Sequence, residues 1–208
     1  MRISVQYVLV LVCVFGQAWA QPDISAGQRS YEICAGCHGF LGEGSELVGA
    51  PRLTGIESWY LETQMRNFAN GIRGHAEGDA NGRRMALMSQ AVDSERELED
   101  LSTYIASLPS AQPETSPGDA SQLGSSGAYA ICTACHGRDG TGNEALGAPG
   151  LVGMDAWYLV EQLRLYADGL RGTHPTDTLG AQMVAIAASF DTEEKRRALA
   201  EAIRALRR

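Results

Sequence analysis

The sequence predicts an all-α fold in two tandem units, and three observations carry that prediction. The chain repeats itself at a constant offset of 98 residues, apolar residues within each copy return at helical spacing, and no stretch alternates as a half-buried strand requires. Cys34-Ala-Gly-Cys37-His38 returns as Cys132-Thr-Ala-Cys135-His136, Gly49-Ala50-Pro51 as Gly147-Ala148-Pro149, and Trp59-Tyr60-Leu61 as Trp157-Tyr158-Leu159, with no gap. Gln64 likewise meets Gln162, and Gly71-Ile-Arg73-Gly74 meets Gly169-Leu-Arg171-Gly172. Two homologous domains follow, residues 21–110 and 126–208. Between them, residues 111–125 (AQPETSPGDASQLGS) are rich in Pro, Gly, Ser and acids without apolar periodicity and read as a linker.

The first twenty residues are an element apart. Arg2 precedes an apolar run from Val8 to Phe15, and Ala18-Trp19-Ala20 has the small-x-small form read by signal peptidase. Residues 1–20 are therefore expected to be a signal peptide cleaved after Ala20, which places the mature protein in the periplasm. The run falls short of the ~20 apolar residues needed to span a bilayer. Cys13 leaves with it, so four cysteines remain, all in pairs.

Within the first domain the stretch from about Ala26 to His38 suits a helix. Leu61, Met65 and Phe68 fall at i, i+4 and i+7 of a second, and Leu98, Leu101, Ile105 and Leu108 keep to one face of another. Ser94 with Glu97 three residues on has the form of a capping box at its start. Segments 39–56 and 71–84, rich in Gly and polar residues, read as loops. A unit of only ~90 residues builds a modest apolar core by itself, a shortfall that a buried cofactor would make good.

Charge narrows the partners. Lys and Arg number 17 against 25 Asp and Glu, a net charge of -8, and the sequence pI is near 5.0. Binding to a phosphate backbone needs clustered cations, so nucleic acid is excluded as a partner. The charge is also uneven: residues 21–110 hold 7 Arg against 13 acids, a net -6, whereas 126–208 hold 9 basic and 10 acidic residues, a net -1.

Covalent haem attachment needs two thiols at fixed separation to capture two vinyl groups and an imidazole directly adjacent to reach the iron. Cys-x-x-Cys-His supplies both. Zinc wants four protein ligands, which each motif lacks unless distant groups join it; a redox-active disulfide expects a βαβ setting, which the pattern does not show; a structural disulfide is the remaining competitor. Export, duplication and the small core favour two covalently bound haem c groups, held by Cys34 and Cys37 and by Cys132 and Cys135, with His38 and His136 as iron ligands. The opposite ligand must recur in both units. Met65 meets Leu163, Met88 meets Ile186 and Met154 meets Ile56, but Met85 meets Met183, and each stands 47 residues after its motif histidine. Met85 and Met183 are thus the expected sixth ligands. His75 meets Thr173 and His174 meets Ala76, so both histidines read as surface loop residues. Arg73 and Arg171 suit the neutralisation of haem propionates, Trp59 and Trp157 an indole N–H bond to them, and the carbonyls of Pro51 and Pro149 a bond to histidine Nδ1–H.

These residues resemble the class I cytochromes c, and the tandem arrangement is similar to the dihaem cytochrome c4 family. Besides the two haem motifs, the likeness rests on Pro51-Arg52-Leu53 and Pro149-Gly150-Leu151, on the Tyr-Leu-x-x-Gln runs at Tyr60 and Tyr158, and on the late methionines. It implies two small helical haem folds whose haem edges approach across the domain interface, His38 with Met85 and His136 with Met183 as ligands, and electron delivery to respiratory partners. The sequence departs from the family at Val92-Asp93-Ser94, which leaves room for Met88 as the ligand, and at Gly150, where the first unit has Arg52.

The expected function is single-electron transfer between redox proteins, from a donor toward a terminal oxidase, with docking to a membrane complex and with no small-molecule substrate or catalytic residue. A haem peroxidase or sulfur-compound oxidoreductase would need an open iron, against which the paired methionines weigh. An obligate subunit of a dehydrogenase or oxidase complex is the third class.

Overall fold

The computed structural model describes residues 21–109 and 127–206, so the expected signal peptide and the whole 111–125 linker lie outside the described residues. Eight α-helices are described: α1 (Ile24–His38), α2 (Ser58–Ala69), α3 (Ala80–Met88), α4 (Glu95–Ser107), α5 (Thr133–His136), α6 (Ala156–Ala167), α7 (Thr178–Ala187) and α8 (Glu193–Arg204). The offset of 98 residues carries α2 onto α6, α3 onto α7 and α4 onto α8. Extended pairing among the described residues is limited to isolated bridges, Ser45 with Ala50 and Asn143 with Ala148.

Short polar side chains start the helices. The Asp23 carboxylate accepts the Ser25 and Ala26 N–H groups at the head of α1, and the Thr192 hydroxyl accepts the Lys195 N–H at the head of α8. At α4 the Ser94 hydroxyl accepts the Glu97 N–H at 3.2 Å, while Glu97 Oε2 accepts the N–H of Asp93 at 3.1 Å, one residue before the cap. The expected loop at 71–84 ends earlier than its composition suggests. Asp79, almost wholly buried, accepts the Gly82 N–H at 2.7 Å and starts α3 at Ala80. Two glycines are required by space here: a Cβ on Gly82 would stand 2.0 Å from Asp79 Oδ2, and one on Gly74, whose φ is +79°, would stand 2.3 Å from the Gly82 carbonyl oxygen.

The first unit is closed by α1 crossing α4. A Cβ on Gly27 would lie 2.0 Å from the carbonyl oxygen of Asp100, so the two backbones approach as closely as they do only because residue 27 has no side chain. Asp23 N–H donates to Asp100 Oδ1 at 2.7 Å and the Ser30 hydroxyl to Glu97 Oε1 at 2.6 Å, tying both ends of the crossing. Gly27→Ala is expected to destabilise the first unit by about 2–3 kcal/mol, because overpacking against a backbone outweighs the ~1 kcal/mol that alanine contributes to helix propensity. Thermal unfolding reads this directly, and an unchanged midpoint would refute it.

The second unit opens differently. From residue 127 on, a 3-10 turn, Ala130–Cys132, runs into the four-residue α5, where the equivalent residues of the first unit, 29–38, are continuous α-helix. Among the described residues its apolar cluster is the larger, with twelve buried residues including Tyr129, Leu159, Leu199 and Leu206, against five in the first, Tyr31, Ala35, Leu61, Leu101 and Ile105.

Candidate haem sites

Each unit holds an apolar cleft beside its Cys-x-x-Cys-His motif. The first is about 1360 Å³ with its open mouth included, the second about 1400 Å³. Cys34, Cys37, His38 and Pro51 line the first; Cys132, Cys135, His136 and Pro149 line the second. The four thiols are free, and burial, reinforced by the neighbouring Cys37 or Cys135, pushes Cys34 and Cys132 up to about 11. Among the described residues no three His, Cys, Asp or Glu side chains come together as a metal would require, so zinc has no complete ligand set here.

Both motif histidines are buried, and Nδ1 of each lies 2.8 Å from a proline carbonyl oxygen, Pro51 for His38 and Pro149 for His136. A carbonyl only accepts, so Nδ1 carries the proton and Nε2 keeps its lone pair. Burial lowers both histidine pKa values, with the proline bond opposing, which keeps the rings neutral as ligation requires. Two tyrosines that the sequence reading passed over brace the turn after each motif: Tyr31 O–H donates to Gly39 O and Tyr129 O–H to Gly137 O, both at 2.7 Å. The offset of 98 residues relates these two as well, so the repeat held the signal.

Met65, Met85 and Met88 all line the first cleft, whereas Met154, Met183 and Ile186 line the second. Proximity therefore admits three methionines in the first cleft, and the repeat selects one. Thiols, a neutral imidazole and a thioether on apolar walls fit a haem group. Arg73 Nε, buried at the first cleft without a hydrogen-bond partner, fits the carboxylates such a group carries.

The clefts are not independent. Trp157 of the second unit lines the first cleft and Trp59 of the first unit lines the second, so each indole faces the other unit's site. Tyr60, Gln64, Tyr158 and Gln162 line both clefts and form the wall between them. Arg73 Nη2 donates to Tyr158 Oη at 3.1 Å and Gln162 Oε1 at 2.9 Å; Arg171 Nη2 mirrors it with Tyr60 Oη and Gln64 Oε1, both at 3.0 Å. Burial alone would raise the Tyr158 pKa, but Arg73 and Arg171 more than offset it and the net shift is downward. The same two-fold logic joins Glu57 Oε1 to the Gly150 N–H and Asp155 Oδ2 to the Arg52 N–H, each at 3.1 Å. Gly150, where the repeat breaks, thus makes the contact that Arg52 makes. His75 and His174, expected as surface loop residues, meet edge to face across this junction with ring centroids 6.3 Å apart.

An all-α fold that gathers paired thiols, a tethered imidazole and a thioether at one apolar cleft defines the class of c-type cytochromes. Residues 24–109 match the family model described as cytochrome c. Cytochrome c4 of Stutzerimonas stutzeri is 33% identical over 181 residues, 82% of this chain and 84% of that protein. The reduced cytochrome c4 structure from Pseudomonas stutzeri superimposes with a TM-score of 0.64 at 28% identity, covering 90% of this chain and all of that one. A thiosulfate dehydrogenase (TsdBA) structure from Marichromatium purpuratum gives 0.66 at 29% identity over 88% of this chain, which spans 40% of that longer one. The chain belongs to the cytochrome c4 family, and it is an electron-transfer c-type cytochrome that binds haem covalently and has redox proteins as its partners.

Proposed function

We propose that the protein is a periplasmic dihaem carrier that takes single electrons from a donor protein and passes them toward a terminal oxidase of the respiratory chain. The observation that carries this reading is the wall of Tyr60, Gln64, Tyr158 and Gln162 shared by the two clefts. An electron crossing between units 21–110 and 126–208 meets one layer of side chains, fixed by two buried arginines. Haem iron supplies one-electron chemistry by cycling between its ferric and ferrous states.

The protein's residues do the rest. Cys34 with Cys37, and Cys132 with Cys135, hold the two groups covalently. His38 and Met85 would hold one iron and His136 and Met183 the other, a ligand set that suits electron transfer over substrate binding. The Pro51 and Pro149 carbonyls lock the imidazole tautomers. The likeness to part of a thiosulfate dehydrogenase supports a sulfur-oxidising dehydrogenase as one donor.

Visible and near-infrared spectra of the exported protein, with haem quantified per chain, test the proposal. Two covalent low-spin haems with a methionine-to-iron charge-transfer band are expected. One haem per chain, a high-spin signal, or carbon monoxide binding to the reduced native protein would overturn it.

A further inference from the structure

Each motif histidine is fastened to a peptide group that the other unit also holds. The carbonyl that accepts the His136 Nδ1–H, at 2.8 Å, and the N–H that donates to Glu57 Oε1, at 3.1 Å, are the two ends of one peptide bond, Pro149–Gly150. The Pro51–Arg52 peptide repeats the arrangement, with its carbonyl oxygen 2.8 Å from His38 Nδ1 and its N–H donating to Asp155 Oδ2 at 3.1 Å. A carboxylate that accepts from an amide N–H pushes electron density from the nitrogen to the carbonyl oxygen, and hydrogen bonds linked in this way strengthen one another. The imidazole at the far end becomes more basic. The charge reaches the ring: burial lowers the His136 pKa, and the Pro149 bond and the Glu57 charge oppose it.

Resting on the carrier reading above, we infer that Glu57 and Asp155 are positioning residues that act across the junction: each carboxylate strengthens, through one peptide group, the hydrogen bond of the other unit's haem-ligating histidine and so lowers that haem's reduction potential. A more basic imidazole favours the ferric state. The two relays differ in strength. Asp155 Oδ1 stands 3.8 Å from Arg52 Nε, a cation that offsets its charge. At the equivalent place the second unit has Gly150, so Glu57 meets no such cation from that position, and its Oε2 is buried without a hydrogen-bond partner. Gly150 also makes the approach possible, because a Cβ there would stand 2.5 Å from Glu57 Oε1. The larger effect therefore falls on the second haem, from a residue of the first unit.

The test is a spectroelectrochemical titration of the holoprotein, with the wave of the second haem identified as the one that Met183→Ala displaces. Glu57→Gln keeps the volume and a carbonyl acceptor and removes the charge. It should raise the reduced-to-oxidised ratio of the second haem about fivefold at a fixed applied potential and leave that of the first haem unchanged. Asp155→Asn should raise the ratio of the first haem by less, about twofold, because Arg52 already offsets the charge it removes. Proton NMR of the reduced protein separates the relay from a bare charge effect. The His136 Nδ1–H resonance should move upfield in Glu57→Gln as its bond to Pro149 weakens, whereas a charge acting only through space would move the potential and not this resonance. An unmoved resonance, or a Glu57→Gln shift confined to the first haem, would overturn the relay. A larger effect of Asp155→Asn than of Glu57→Gln would overturn the part given to Arg52. Failure of the carrier reading looks different: the wild type itself would lack two haem waves.

Discussion

Cys34→Ala combined with Cys37→Ala is expected to reduce the haem content from two groups per chain to one and to cost the first unit most of its helical order. Among the described residues that unit's buried apolar cluster comprises five residues, beside a cleft of about 1360 Å³ with its open mouth included. Side chains lining an unfilled cleft lose contact partners on one side, and a ~90-residue unit has little other burial with which to compensate. The mirror variant, Cys132→Ala with Cys135→Ala, should remove the other haem and retain more helix, because the second cluster holds twelve buried residues. Haem quantified per chain, with far-ultraviolet circular dichroism on the same samples, reads both effects. Two haems remaining in either variant would refute the attachment sites, and equal loss of helix in the two would refute the argument from core size.

What could be read in the sequence was what the repeat duplicates by identity. The two haem motifs, the proline carbonyl partners of His38 and His136, and the helical faces of Leu61 and Leu101 all follow from spacing. The junction between units was not legible. Periodicity shows that a residue is buried and does not show against which unit, so nothing in the spacing of Trp59 and Trp157 tells that each lines the other unit's cleft. Glu57 and Asp155 escaped because the repeat there preserves chemistry and changes identity. His75 and His174 escaped for a different reason: the junction pairs position 75 with 174, which are not equivalents of one another, so an offset search never aligns them. The start of α3 was hidden because Gly82, where a Cβ would stand 2.0 Å from the Asp79 carboxylate that caps the helix, has the composition of a loop.

Met85→Ala is expected to abolish the methionine-to-iron charge-transfer band of one haem, leaving about half the intensity, and to lower that haem's potential by a sizeable share of the ~0.8 V range that axial ligands span. Met183→Ala should do the same at the other haem. Met88→Ala should leave the band intact, although Met88 lines the same cleft as Met85. Proximity does not separate these methionines, so the assignment rests on symmetry: two units related by an offset of 98 residues place a thioether at 85 and 183, but a thioether at 88 and an isoleucine at 186. Were Met88 the ligand, the second iron would have no counterpart at the equivalent place and the two sites would differ in kind. Near-infrared absorption with a redox titration of all three variants decides it. Loss of half the band in Met88→Ala, with Met85→Ala unchanged, would transfer the ligand to Met88 and end the symmetry argument. Met85 and Met88 are both half-buried at the same cleft, so each truncation also removes apolar contact there; a stability loss shared by Met85→Ala and Met88→Ala does not bear on ligation, and the spectrum does.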